Sequence, residues 1–116
     1  RIGLLTASVT AETSTFSYAT DTEERTFTTG VTIAYAELAD TPIAITKTPN
    51  GSSEEPYRGE NIGASIAADG TLTITVRQAD GYAAGDSYTI TIHATNVDDE
   101  TTEVTETVTI NVTAAE

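Results

Sequence analysis

The chain has 116 residues, 18 of them acidic and 5 basic, for a formal charge of -13. That length fits one domain with one core, and so acidic a field repels phosphate backbones and anionic bilayers, which disfavours nucleic-acid binding and membrane attachment. With no Cys, there is no disulfide, no thiol nucleophile and no Cys-based zinc site.

Met and Trp are also missing, and the sequence starts at Arg1. The expectation is a single domain over residues 1–116, cut from a longer protein. No run approaches the ~18 continuous apolar residues of a membrane span, so no membrane insertion is expected. Thr is the commonest residue, at 25 positions. Its β-branch favours extended backbone, and its hydroxyl gives a strand a polar outer face. An acidic, Cys-free, Thr-rich composition is typical of bacterial extracellular β modules.

Taken in order, residues 2–10 predict a first strand, with Gly3 marking an edge or bulge. Residues 13–20 predict a second, with Phe16 and Tyr18 on one face. Residues 21–30 predict a charged connection ending at Gly30, with Phe27 starting a short strand at most. Residues 31–38 place Val31, Ile33 and Tyr35 on one face of a third strand, although Ala34, Ala36 and Leu38 also permit a helical turn. Ala39 to Pro42 predict a turn, and 43–48 a short strand with Ile43 and Ile45 inward. Residues 49–61 hold two of the three prolines and an Asn50-Gly51 pair, and predict a long surface loop. Residues 62–70 lead through an Asp69-Gly70 turn into the clearest signal in the chain.

That signal runs from 71 to 113. Leu72, Ile74 and Val76 alternate with hydroxyl or other polar residues, as do Tyr88, Ile90, Ile92 and Ala94, then Val108, Ile110 and Val112. Strict period-two alternation predicts strands with one dry face, here an antiparallel meander of three. No long helix and no internal repeat is signalled. Strands about ten residues apart predict an all-β fold: a two-sheet antiparallel sandwich of about seven strands, immunoglobulin-like in architecture.

Residues 85–112, GDSYTITIHATNVDDETTEVTETVTINV, resemble the end of bacterial immunoglobulin-like and cadherin-like repeats. There a G-x-x-Y strand runs into an acidic turn and a Thr/Val-rich last strand. Residues 68–75 resemble the strand before it, and 2–18 are loosely similar to the opening. The resemblance implies an extracellular spacer or recognition module with its termini at opposite poles. The Asp-x-Asp and Asp-x-Asn-Asp-Asn junction motifs of calcium-binding cadherins are absent, and so are the Cys and Trp of antibody domains. The chain is also similar to the amino-terminal sandwich domains of surface glycan-binding lipoproteins from gut Bacteroidetes.

Several residues carry chemistry worth locating. His93 is the single histidine, on a face with Thr89, Thr91 and Thr95. Catalysis would require a nucleophile and an orienting acid beside it, and no Gly-x-Ser-x-Gly elbow occurs. It reads as an exposed strand residue, and the chain as no enzyme. A paired-carboxylate hydrolase would need a cleft that so small a sandwich does not offer. Asp98, Asp99 and Glu100, with Glu103, form the densest acidic turn. These are the calcium candidates, with Asp69, Asp80 and Asp86 as contributors if the turns converge, because calcium takes six to eight oxygens, usually from more than one loop. The competing reading is turn chemistry, in which Asp bonds its own backbone.

Tyr57 and Tyr82 fall in predicted loops and are the candidates for carbohydrate or partner contact, against a reading in which both fold back over the core edge. Tyr18, Tyr35 and Tyr88 fit the alternation and read as core. Asn50-Gly51-Ser52 and Asn111-Val112-Thr113 match the glycosylation acceptor pattern, which has no weight in a bacterial source. The expected function is a non-catalytic extracellular or cell-surface module serving spacing, adhesion or domain assembly. The alternative is a carbohydrate-binding accessory module. No cofactor is required, with calcium as the one candidate. The expected partners are neighbouring domains of the same chain, a glycan or a cell-surface protein.

Overall fold

The computed structural model describes residues 6–20, 23–49, 51, 53–59, 61–77 and 83–114, with Glu100 described by its backbone only. Nine strands form among them. They are β1 (Ser8–Ala11), β2 (Thr15–Ala19), β3 (Glu24–Ala34), β4 (Ala36–Thr48), β5 (Glu55–Pro56), β6 (Ile62–Ile66), β7 (Thr71–Arg77), β8 (Ser87–Asn96) and β9 (Asp99–Thr113). One sheet has the order β1-β3-β7-β6 and the other β2-β9-β8-β4-β5. All described pairings are antiparallel except β2 with β9.

The inward rows are the ones that alternation predicts. Leu72, Ile74, Val76, Ile90, Ile92, Ala94, Val108 and Ile110 are wholly buried, and Tyr88 and Val112 nearly so. Val9, Tyr18, Phe27, Val31 and Ile62 complete the core. Phe16 of β2 meets Phe27 of β3 at 4.9 Å between ring centroids, joining the two sheets. At ~25 cal/mol per Å2 of buried apolar surface, these rows are the main source of stability.

The three strands from 71 to 113 are not one meander. β7 lies between β3 and β6, while β8 and β9 form a hairpin in the opposite sheet. Alternation reports a dry face and is silent on which sheet owns it. Two facing sheets satisfy the same parity as one meander.

Other expectations change as well. Of the predicted first strand over 2–10, Ser8 to Thr10 lie in β1 and Thr6 and Ala7 precede it, while residues 2–5, Gly3 among them, lie outside the described residues. The predicted connection over 21–30 is already β3. Phe27, Thr29 and Val31 point inward in a row that the Thr29 hydroxyl disguises. The predicted strand over 31–38 is broken at Tyr35, whose φ of 56° turns the chain from one sheet into the other. The predicted turn at 39–42 is a bulge inside β4: Leu38 pairs with Ala94 and Ile43 with Ile92, so four residues face His93 alone. The predicted loop over 49–61 contains β5, which pairs with Thr46 and Lys47. Both chain termini lie outside the described residues, and with them the expectation about opposite poles.

The chain also changes sheets between β1 and β2, where side chains and backbone share the work. Glu12 N–H donates to Gly30 O at 2.9 Å, Thr13 N–H to Thr29 Oγ1 at 2.8 Å, and Thr109 N–H to Ser14 O at 2.8 Å. No buried side-chain polar atom among the described residues lacks a partner.

Candidate functional site

His93 projects from β8 toward β9, with Nδ1 3.1 Å from Glu103 Oε1. The pair is partly exposed and sits across the antiparallel ladder, where Thr95 is opposite Glu103. It is an ion-pair geometry on the outer face of a sheet.

The acidic turn is built around its own backbone. Asp99 Oδ1 accepts from Thr101 Oγ1 at 2.6 Å and from Thr101 N–H at 3.0 Å, and Oδ2 accepts from Thr102 Oγ1 at 2.8 Å. These bonds, the Thr101 hydroxyl foremost, hold the Asp99 carboxyl below the usual carboxylate range. Asp98 N–H donates to Asn96 Oδ1 at 2.7 Å. The Glu100 side chain lies outside the described residues.

Asp69 bonds the Thr71 N–H at 2.9 Å, and that bond lowers its carboxyl in the same way. Asp86 is buried at the start of β8, with Lys47 Nζ 3.8 Å away. At ~3.3 Å per strand residue, β8 separates Asp86 from Asp98 by about 30 Å, so the Asp86 turn does not meet the acidic turn. Asp80 lies outside the described residues. No group of three His, Asp or Glu side chains able to hold a metal occurs among the described residues.

Tyr57 is half-buried and folds over the core edge. Its ring meets Tyr88 edge-on at 5.2 Å, and its hydroxyl accepts the Asn61 N–H at 2.9 Å. Burial above all, then Tyr57 and Asp86, pushes the Tyr88 hydroxyl up to about 12. Tyr82 lies outside the described residues.

Tyr35 is the surprise of the set. Parity with Val31 and Ile33 predicts core, yet the residue is 53% exposed. Its left-handed φ of 56° takes the side chain out of the β3 alternation. An aromatic residue in that region costs roughly 1–2 kcal/mol. Beside it is Val97, 49% exposed, whose N–H donates to Tyr35 O at 3.1 Å. These are the exposed large hydrophobics among the described residues, and they sit together at one pole.

The pole is shaped by two bulges flanking the end of β8. One is 39–42 in β4. The other is 100–102 in β9, where Thr95 pairs with Glu103 and Asn96 with Asp99. Between them opens a shallow groove of about 370 Å3 lined by Glu37, Leu38, Ala39, Asp40, Asn96 and Val97, among others. Glu37 and Asp40 are exposed on it. Sequence parity does not reveal this site. One signal is legible in retrospect: an apolar Val97 in a two-residue hairpin turn, a place usually held by Asn, Asp or Gly.

No protein-family model and no curated protein matches the chain. Solved structures do. Murine CRIg is similar at a TM-score of 0.62 and 7% identity, over 93% of this chain and 98% of that one. The titin M3 domain aligns at 0.49 and 12%, over 93% and 97%. An I-band fragment of titin aligns at 0.43 and 19%, over 95% of this chain and 33% of that one. At 7% identity the likeness to CRIg concerns the fold, and it agrees with the strand order of the two sheets. The chain has an immunoglobulin-like β-sandwich fold.

Proposed function

We propose that the chain is a non-catalytic module of a larger protein, acting by contact: spacing, adhesion or assembly with neighbouring domains. The observation that carries this reading is the Tyr35–Val97 pair, two residues with exposed apolar side chains joined by the Val97 N–H to Tyr35 O bond where β3 passes into β4 and β8 into β9. Exposed apolar side chains gathered beside a groove, rather than scattered singly, mark contact sites. Backbone strain at Tyr35 supports it, since strained residues gather at sites of function.

A bacterial, extracellular or cell-surface location is part of the proposal, supported by the acidic, Cys-free, Thr-rich composition. So is the absence of a required cofactor; at the calcium-candidate turn, both Asp99 carboxylate oxygens accept hydrogen bonds from Thr101 and Thr102. Equal melting temperatures in calcium and in chelator are expected, because a cation bound only to the folded state would raise the melting point. Carbohydrate contact through Tyr57 and Tyr82 has less support, since the Tyr57 ring is packed against Tyr88 and its hydroxyl is occupied.

The test is an NMR titration of the labelled domain with the domains adjoining it in its parent protein. Shifts confined to 35–40 and 95–99 are expected. Shifts elsewhere would move the contact surface, and the absence of any shift would remove assembly with neighbours as its role.

A further inference from the structure

Resting on the reading that this pole is a contact surface, we infer that its partner is a cationic protein segment carrying an apolar anchor. The pole presents two features together. Tyr35, Val97 and the half-buried Leu38 supply apolar surface, and Glu37 and Asp40 border the same groove, with Asp98 exposed in the adjoining turn. An apolar centre with a charged rim is the usual anatomy of a protein contact, and the sign of the rim selects the partner.

The placement of the bases sharpens this. Arg25 is at the start of β3, Arg77 at the end of β7 and Lys47 near the end of β4. All three belong to the opposite end of the sandwich. Their positive charge is also engaged there: Arg77 Nε is 3.7 Å from Glu24, Lys47 Nζ is 3.8 Å from Asp86, and Arg25 lies over the Phe27 ring at 4.9 Å. The far end mixes both signs, whereas the Tyr35 end carries carboxylates beside its apolar pair. Arg58 is exposed just beyond β5, two residues past the Glu55–Pro56 strand, and Arg1 lies outside the described residues. Among the described residues, a second copy of this chain therefore offers bases interspersed with carboxylates rather than a basic surface. The geometry also disfavours a bare cation, since no three ligating side chains gather among the described residues.

Tyr35 is the anchor contact. Gly would relax its left-handed backbone, so the ring contributes exposed surface at the expense of local strain. Replacing it should leave the fold intact and remove affinity.

The experiment uses a short Lys/Arg-rich synthetic peptide with one central Leu, titrated into the labelled domain. The expected shifts map to 35–40 and 95–99. Raising the salt about tenfold shortens the screening length roughly threefold and should weaken binding markedly. The double variant Glu37→Gln/Asp40→Asn should lose affinity about tenfold, while the control Glu54→Gln/Glu55→Gln, equal in net charge, should bind as the parent does. Tyr35→Gly should melt no lower than the parent and bind more weakly. Equal losses in both double variants would mean that the overall charge attracts the peptide, and would overturn the proposal. So would shifts spread over the surface, or none. If instead an adjoining domain docks at this pole without salt dependence and the peptide does not, the module reading stands and the cationic partner falls.

Discussion

The Glu106 carboxylate accepts the backbone N–H of Ala11 at 2.9 Å, across 95 positions of sequence. Glu106 falls on the inward row of β9, between Val104 and Val108, where parity calls for an apolar residue. It stands where β1 leaves one sheet and β2 joins the other, so an inward carboxylate satisfies a backbone donor that no strand covers. Glu106→Ala should cost roughly 1–2 kcal/mol by leaving that donor unpaired, and it should speed hydrogen exchange at the Ala11 amide. Glu106→Gln keeps an acceptor and should exchange nearly as the parent does. Unchanged Ala11 exchange in the Ala variant would mean that the bond does not hold this crossing.

The parity of the core makes a sharper claim. Ile90 and Ile110 are wholly buried, whereas their neighbours Thr89 and Thr109 are not. Ile90→Ala and Ile110→Ala should each cost about 2–5 kcal/mol through lost transfer energy and the cavity left behind. Thr89→Ala should stay within roughly 0.5 kcal/mol. Urea denaturation of the four single variants, including Thr109→Ala, checks the alternation, and comparable losses at all four would refute it.

Gly70 is required where it stands. Its φ is 94°, and a Cβ there would lie 2.5 Å from Val31 O, while its own carbonyl accepts the Val31 N–H at 2.8 Å. Gly70→Ala therefore combines left-handed strain with a clash against backbone that cannot yield. A loss of more than about 2 kcal/mol is expected, read as a lower denaturation midpoint with an unchanged slope.

The alkaline limb of stability should belong to Tyr88. Burial raises its hydroxyl to about 12, while an unfolded tyrosine titrates near 10. The raised group supports folding fully below pH ~10, and that support is lost as pH climbs through about 12. The two-unit difference corresponds to on the order of 3 kcal/mol by the highest pH. Tyr88→Phe should flatten the decline in melting temperature above pH ~10. An identical decline in that variant would assign it to other groups.

Acid acts in the opposite sense. Hydrogen bonds from Thr71 to Asp69, and from Thr101 and Thr102 to Asp99, hold both carboxyls below their usual range. Their contribution is present above the unfolded value near pH 4 and lost as pH falls through the depressed folded values. Asp69→Asn/Asp99→Asn should therefore shallow the acid limb of a melting-temperature profile while leaving the alkaline limb alone.

Alternation alone determined which of Leu72, Ile74, Val76, Ile90, Ile92, Val108 and Ile110 lie in the core, because side chains on an extended chain must alternate between faces. It determined the all-β class for the same reason. It did not determine that β7 sits opposite β8, since each sheet of a sandwich presents the same parity to a shared interior. Nor did it place Tyr35, where a left-handed φ interrupts the count of two on which parity depends, or the bulges of β4 and β9, which do the same. Those departures bring Tyr35, Val97, Glu37 and Asp40 to one pole from segments about sixty residues apart. A period-two pattern therefore located the interior, and only the backbone irregularities decided the candidate contact surface, because they break the periodicity that sequence can show.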